Sequence, residues 1–148
     1  MKTTWLERGE NRNPEQLFKL KFGSDNNNWV SVELGGDVDT GALHDGVYLA
    51  ENAEGKYEIA EAGAKVAYPM LEMKYQYDNL ALQAVTISEG TVNAFTKHFD
   101  GTPEVGDMMK IGTTAGKLDV LGETDDAELA LAEVVGVYDD YIEIKKLY

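Results

Sequence analysis

The segment Gly112–Lys117, with the sequence GTTAGK, is the part of this chain closest to a phosphate-binding loop. A Walker loop places four residues between its first glycine and its Gly-Lys pair, and a Ser or Thr that binds Mg²⁺ follows. Here three residues separate the two glycines, and Leu118 follows the lysine. The downstream residues form a short apolar run, whereas a phosphate site requires a helix N-terminus. The segment is therefore predicted to be a β-hairpin turn between Asp107–Ile111 and Lys117–Leu121.

Other residue types that commonly do chemistry are sparse. The chain has two histidines, His44 and His98, and no cysteine. A zinc site built on these histidines would need distant carboxylates, because they form no short-range pair. Each is interpreted as a solvated or hydrogen-bonded loop residue. The Gly-x-Ser-x-Gly nucleophile elbow is also absent. The sequence therefore predicts a protein that is not an enzyme.

Carboxylates are abundant, and they fall into three clusters at turns. Calcium accepts such oxygen ligands, but the spacing of residues 37–41 breaks the order of an EF-hand loop. We therefore expect solvated acidic loops and no metal or other cofactor. A hydrolase that uses two carboxylates stays open as an alternative, because folding could bring any two together. The clusters are Asp37, Asp39 and Asp45; Asp125, Asp126 and Glu128; and Asp139 and Asp140.

The net charge of −14 argues against nucleic-acid partners, which bind through Lys and Arg, and against anionic membranes. Residues 1–28 hold five basic and four acidic side chains, a net of +1, whereas residues 29–148 hold eight and 23, a net of −15. Both arginines, Arg8 and Arg12, lie in the first segment. No apolar run approaches the ~18 residues that span a bilayer, and the first residues lack the apolar block of a secretory signal. Synthesis in the cytoplasm is expected.

The chain is predicted to consist of an N-terminal arm, residues 1–28, and one β domain, residues 29–148. Turn signals occur at residues 11–14 and 25–28 of the arm. Between them Phe18, Leu20 and Phe22 alternate with lysines, which favours a strand over a single helical turn.

The domain shows repeated short β-runs punctuated by glycines, which predicts an all-β small barrel or sandwich. Helix is expected at most in short pieces such as residues 125–132, where a strand that begins at Leu129 is an equal alternative. Pro69 predicts an edge strand or a bulge. The predicted strands are Trp29–Leu34, Gly46–Ala50, Lys56–Ala60, Lys65–Tyr68, Ala84–Ser88, Thr91–Phe99, Asp107–Ile111, Lys117–Leu121, Val134–Tyr138 and Tyr141–Lys146.

Two sets of motifs lie in residues 44–148. The first set is Gly46–Leu49, Gly55–Tyr57 and Val66–Pro69, and the second is Val105–Ile111, Gly116–Leu118 and Val134–Tyr138. Together they resemble the small β-barrel proteins that decorate the heads of tailed bacteriophages. In that family a Val-Gly-Asp-x-hydrophobic strand leads to a Gly-Lys-Leu hairpin and then to a closing Val-Gly-Val strand.

The resemblance implies a virion structural protein without catalytic residues. Such a protein binds the outer surface of the capsid and stabilises contacts between major capsid protein subunits. The expected partners are the major capsid protein and other copies of this chain, and trimers are frequent among related proteins. The expected location is the capsid exterior, after synthesis in the host cytoplasm. Tail or fibre modules share these motifs and remain an alternative.

The arm is predicted to leave the barrel and lie on a neighbouring subunit. Burial of Trp5, Leu6 and Phe18 would offset the entropy lost on docking, and Arg8 and Arg12 would pair with carboxylates. These five residues are the predicted interface. A second alternative is a carbohydrate-binding module that uses the exposed tyrosines Tyr75, Tyr77 or Tyr141, although tyrosines also pack well in strands.

Overall fold

The computed structural model describes residues 18–20, 29–74, 83–87 and 90–148, and in these residues the fold is all-β. Helical structure in the described ranges is limited to two 3-10 turns, Thr40–Ala42 and Ala127–Leu129. The all-β part of the predicted fold class is confirmed. The strands are β1 (Phe18–Leu20), β2 (Trp29–Glu33), β3 (Tyr48–Glu51), β4 (Tyr57–Ile59), β5 (Tyr68–Lys74), β6 (Gln83–Ile87), β7 (Val92–Thr96), β8 (Met108–Ile111), β9 (Leu118–Val120), β10 (Ala132–Val137) and β11 (Ile142–Lys146).

The strands form two sheets, and in each sheet an isolated parallel bridge joins the last strand to the segment after β2 or β7. One sheet has the order β2-β6-β5-β3-β4, and a parallel bridge between Leu34 and Tyr57 joins β4 to the residue after β2. The other has the order β1-β7-β11-β10-β8-β9, and a parallel bridge between Phe99 and Leu118 joins β9 to the segment after β7. We call strands β2–β6 the first unit and strands β7–β11 the second unit.

The two units are structural repeats, because β2-β6-β5-β3-β4 and β7-β11-β10-β8-β9 are the same order five strands later. Their details agree as well. The amide of Gly46 donates to the carbonyl of Met70 at 2.7 Å, and the amide of Gly106 donates to the carbonyl of Val134 at 2.8 Å. Both glycines have positive φ, 94° and 98°. The register of β5 with β6 shifts after Met70, and that of β10 with β11 shifts after Val134.

The repeat leaves a short trace in the sequence at the third strand of each unit, β4 and β9, and in the turn before it. Residues 55–59 read GKYEI, and residues 116–120 read GKLDV. Each stretch begins with a glycine of positive φ, 81° at Gly55 and 78° at Gly116. The more visible tripeptide GVY, at residues 46–48 and 136–138, is a coincidence, because its copies lie beside β3 and β10, which are not equivalent strands.

The units share a core and therefore form one body. Leu49 of β3 is fully buried in a cluster that belongs to the first unit. The equivalent residue of β8, Met109, is fully buried in a second cluster, which also includes Tyr48 and Ala67 from the first unit. Among the described residues the Tyr48 hydroxyl has no hydrogen-bond partner, and burial raises its pKa above the ordinary range.

Gly116 forms a close joint between the two units. Its carbonyl accepts a hydrogen bond from the Tyr48 amide at 3.1 Å, and its amide donates to the Ala60 carbonyl at 2.7 Å. A Cβ added at this position would lie 2.7 Å from Cγ1 of Val47 and 2.9 Å from Cγ2 of Ile59. Only glycine allows the hairpin of the second unit to approach the first unit this closely.

Most predicted strands differ from the structure by one to three residues at an end, and two predicted elements differ more. The strand expected at Lys65–Tyr68 instead starts at Tyr68 and continues to Lys74. Pro69 is its second residue, a position near the strand start that tolerates the missing N–H. In residues 125–132, a 3-10 turn at Ala127–Leu129 precedes a strand that begins at Ala132, so both alternatives hold in part.

Candidate functional site

The glycine-rich segment at residues 112–116 is a hairpin turn, as predicted. It joins β8 to β9, with Ile111 opposite Leu118 and the Gly112 amide bonded to the Lys117 carbonyl at 3.0 Å. The amides of Gly116 and Lys117 also donate to main-chain carbonyls. These donors are therefore committed to the turn and to the joint between the units, and no helix N-terminus follows them.

The fold brings together the two histidines, which are far apart in sequence. The His44 and His98 rings stack with centroids 5.9 Å apart and planes 15° apart. His98 is only 3% exposed and its amide donates to Thr96 Oγ1 at 3.0 Å, so of the two predicted forms only the hydrogen-bonded loop residue fits it. Its burial extends the period-two pattern of Val92, Ala94 and Thr96 by one position, a signal that was present in the sequence. Within the described ranges, no three His, Asp or Glu side chains are grouped to hold a metal ion.

The acidic cluster at residues 37–45 is divided by the fold. Asp37 and Asp39 line a groove of about 400 Å³ together with carboxylates of β3, β4 and the loop after β4, but Asp45 does not line it. The Asp39 carboxylate accepts the Gly41 amide at 3.0 Å, which closes the local turn. Among the residues that the structure describes, no basic side chain lines this acidic groove. The further carboxylates that line it are Glu51, Glu58 and Glu61.

The second acidic cluster is bound by lysines and main-chain amides. Asp125 accepts the Lys110 ammonium and the Gly122 amide, each at 2.7 Å. These two donors hold the pKa of Asp125 below its ordinary value. Lys65 of the first unit lies 3.3 Å from Asp126 and 2.9 Å from Glu128. These carboxylates therefore anchor the loop before β10, and the two pairs of Lys65 tie it to the first unit.

Asp125→Asn should lower the free energy of unfolding at neutral pH. It should also make that free energy depend less on pH in the acid range. A carboxylate with a lowered folded pKa stabilises the native state above its unfolded pKa, and that contribution disappears as the pH falls through the folded value. The gap in urea midpoint between wild type and Asp125→Asn should therefore narrow as the pH falls below the ordinary value of 3.8. The exposed Asp140→Asn is the control. A gap that stays constant over this range would contradict the assignment.

An aromatic surface lies at the β10–β11 hairpin. Tyr138 and Tyr141 flank the two-residue turn, and their rings stack with centroids 4.7 Å apart and planes 18° apart. The Phe95 ring of β7 meets both edge-on, at 6.3 and 5.8 Å. Tyr138 is 45% exposed, and so is the neighbouring Val137 at 46%. Burial, followed by Tyr138 and Asp139, raises the pKa of Tyr141.

The backbone beside this surface is adapted to the Tyr138 ring. A Cβ at Gly136, which follows the bulge of β10, would lie 3.1 Å from Cε2 of that ring. The turn residues Asp139 and Asp140 are exposed beside the two tyrosines. The hairpin therefore presents two flat apolar rings next to hydrogen-bond acceptors, a combination suited to sugars or to an extended protein segment.

Most of the predicted interface residues lie outside the described part of the chain. Trp5, Leu6, Arg8 and Arg12 belong to residues 1–17, and Tyr75 and Tyr77 belong to residues 75–82. Phe18 is in β1, where its backbone pairs with Thr96 of β7. The strand preferred for this segment is present over Phe18–Leu20, at the edge of the second unit.

Comparison of the chain with protein-family models, curated proteins and solved structures finds no match. In the residues that the structure describes, no helix has the length and apolar character needed to cross a membrane.

Proposed function

We propose that this protein is a virion structural protein of a tailed bacteriophage, which binds the outer capsid surface and stabilises contacts between major capsid protein subunits. The observation that carries the proposal is the division of charge between a net +1 in residues 1–28 and a net −15 in residues 29–148. An acidic body remains outside the DNA compartment because phosphates repel it. A basic, aromatic N-terminal segment can then bind repeated acidic and apolar sites.

The architecture is suited to a protein that works by adhesion. Two β-units with a shared core form one packed body, so little entropy is lost when its surfaces bind. Many copies on a lattice would turn weak single contacts into large avidity. The three motifs of the second set are also neighbours in space, because they overlap β8, β9 and β10, which are adjacent in one sheet. These observations support the proposal at the level of shape and charge.

Deletion of residues 1–12 is expected to leave a folded body that no longer binds heads. The deletion removes Trp5, Leu6, Arg8 and Arg12, which are two apolar anchors and both arginines of the chain. The measurement is co-sedimentation with empty capsids of the cognate phage at low and high salt, with circular dichroism as the folding control. Equal binding by the truncated and full-length chains would refute the role of the arm, and a full-length chain that never sediments with heads would refute the function.

A second candidate function is carbohydrate binding at the aromatic surface, which the stacked pair of Tyr138 and Tyr141 favours. A pyranose ring stacks its C–H face on exposed tyrosine, and the adjacent carboxylates of Asp139 and Asp140 can accept its hydroxyl protons. In this case the purified protein binds soluble sugars directly, without capsids.

Under this alternative, Tyr138→Ala should reduce sugar affinity by about tenfold or more, the loss of one aromatic contact of ~1–3 kcal/mol. Val105→Ala is the matched control, since Val105 is 66% exposed elsewhere in the same unit. Calorimetry with a panel of oligosaccharides provides the measurement. The candidate fails if no sugar binds or if the two variants bind alike.

A further inference from the structure

The repeat gives the molecule two equivalent sheet edges, β2 in the first unit and β7 in the second. The edge of β7 is covered by β1, which pairs Leu20 with Ala94 and Phe18 with Thr96. In the described ranges, β2 pairs along its length with β6 alone and is the last strand of its sheet. Over Trp29–Glu33, therefore, the described residues place no strand on the outer edge of β2, whereas β1 lies on the equivalent edge of β7.

The side chains at this edge of β2 are also incompletely covered. Register through β6 and β11 makes Val30 the equivalent of Ala94, because Val30 pairs with Thr86 as Ala94 pairs with Ile144. Val30 is 42% exposed, whereas Ala94 is 2% exposed. Val30 nevertheless lies on the face of β2 that buries Val32. An unpaired strand edge beside an exposed valine is a ready template for one more strand.

We propose that residues 1–17 of a second copy pair as a strand with β2. The precedent is within this chain, since the N-terminal region already supplies β1 to the equivalent edge. Residues 1–17 are long enough to reach β2 of another copy, because seventeen extended residues span roughly 56 Å at ~3.3 Å each. The segment contains Trp5 and Leu6, which offer apolar side chains to cover Val30.

Charge favours this occupant over direct pairing of two β2 edges. Residues 29–87 hold ten acidic and three basic side chains, so two first units placed edge to edge would bring together two bodies of net charge −7. Residues 1–17 hold three basic and three acidic side chains and add no such repulsion. Like charges held close together repel and destabilise a complex. This repulsion is smaller when a segment without net charge takes the place of one first unit.

This inference deepens the proposed function and relies on it for the idea that the arm binds a neighbour, since it names the binding place on that neighbour. Self-association can be measured without capsids. A chain that self-associates through β2 but does not bind heads would support the inference and refute the capsid role. A chain that binds heads without using β2 would support the capsid role and refute the inference.

The test uses the absence of cysteine from the chain, which makes any introduced thiol unique. Ser31→Cys, on the exposed edge of β2, is mixed in turn with Thr3→Cys, Glu7→Cys and Asn11→Cys under mild oxidation. We expect a disulfide between two copies for at least one of these pairs. Val66→Cys replaces Ser31→Cys in the control mixture, because Val66 is 57% exposed away from this edge. No cross-link, or cross-linking equal to that of the control, would overturn the inference.

A second measurement separates the two ways of pairing. Val30→Lys should weaken self-association in sedimentation by about tenfold, because a charged side chain would have to be buried under the added strand, whereas Val66→Lys should leave it unchanged. Efficient cross-linking of Ser31→Cys to itself would indicate β2–β2 pairing and overturn the proposed occupant. A wild-type chain that stays monomeric, or equal association of the two lysine variants, would also overturn it.

Discussion

Gly116→Ala is expected to destabilise the protein by roughly 3 kcal/mol, through backbone strain and overpacking together. The residue has φ of 78°, which costs an L side chain about 1–2 kcal/mol. Its new Cβ would also lie 2.7 Å from the Val47 side chain and 2.9 Å from that of Ile59. Relief of these contacts would separate the hairpin from the first unit and strain its two hydrogen bonds to Tyr48 and Ala60. Urea denaturation at neutral pH measures the loss.

Gly63→Ala is the matched control for Gly116→Ala. Gly63 has φ of 94°, but an added Cβ there would meet nothing within 4 Å. This variant therefore reports the backbone cost alone, and the difference between the two variants reports the joint between the units. Equal losses would mean that the second unit does not pack against the first at Gly116. A broader, two-step transition in Gly116→Ala alone would show that the joint couples the unfolding of the units.

Leu49→Ala and Met109→Ala should each cost about 2–5 kcal/mol, because each leaves a cavity around a fully buried side chain. The two residues occupy the same position of the repeat, one in β3 and one in β8, but they lie in different core clusters. Large losses at both positions are expected if each unit has a packed interior of its own. The measurement is the free energy of unfolding from denaturant titration.

Val66→Ala is the reference for these core variants and should change stability by less than about 0.5 kcal/mol, because Val66 is 57% exposed. A loss of stability at Leu49→Ala or Met109→Ala as small as that at Val66→Ala would argue against equivalent cores in the two units. In that case the corresponding unit would have a loosely packed interior, and the matching strand order would not imply matching energetics.

Local sequence patterns were sufficient to predict most strands and turns, although they missed most of β5. Alternating apolar residues predicted β7 and β11, and the glycines around residues 112–116 predicted the β8–β9 hairpin, because strand period and turn conformation depend on near neighbours. The charge division between the arm and the body is also a property of the sequence alone. The assignments of Trp5, Leu6, Arg8 and Arg12 to an interface stay predictions, since they lie outside the described residues.

Tertiary structure alone decided which distant residues meet. The stacking of His44 on His98, the repeat of the five-strand order, the contact of Gly116 with Val47 and the edge position of β2 all depend on strand pairing between segments far apart in the chain. Apolar alternation specifies that a residue faces a core, but many partners satisfy the same alternation. The choice among them comes from packing and register, which only the assembled sheets determine.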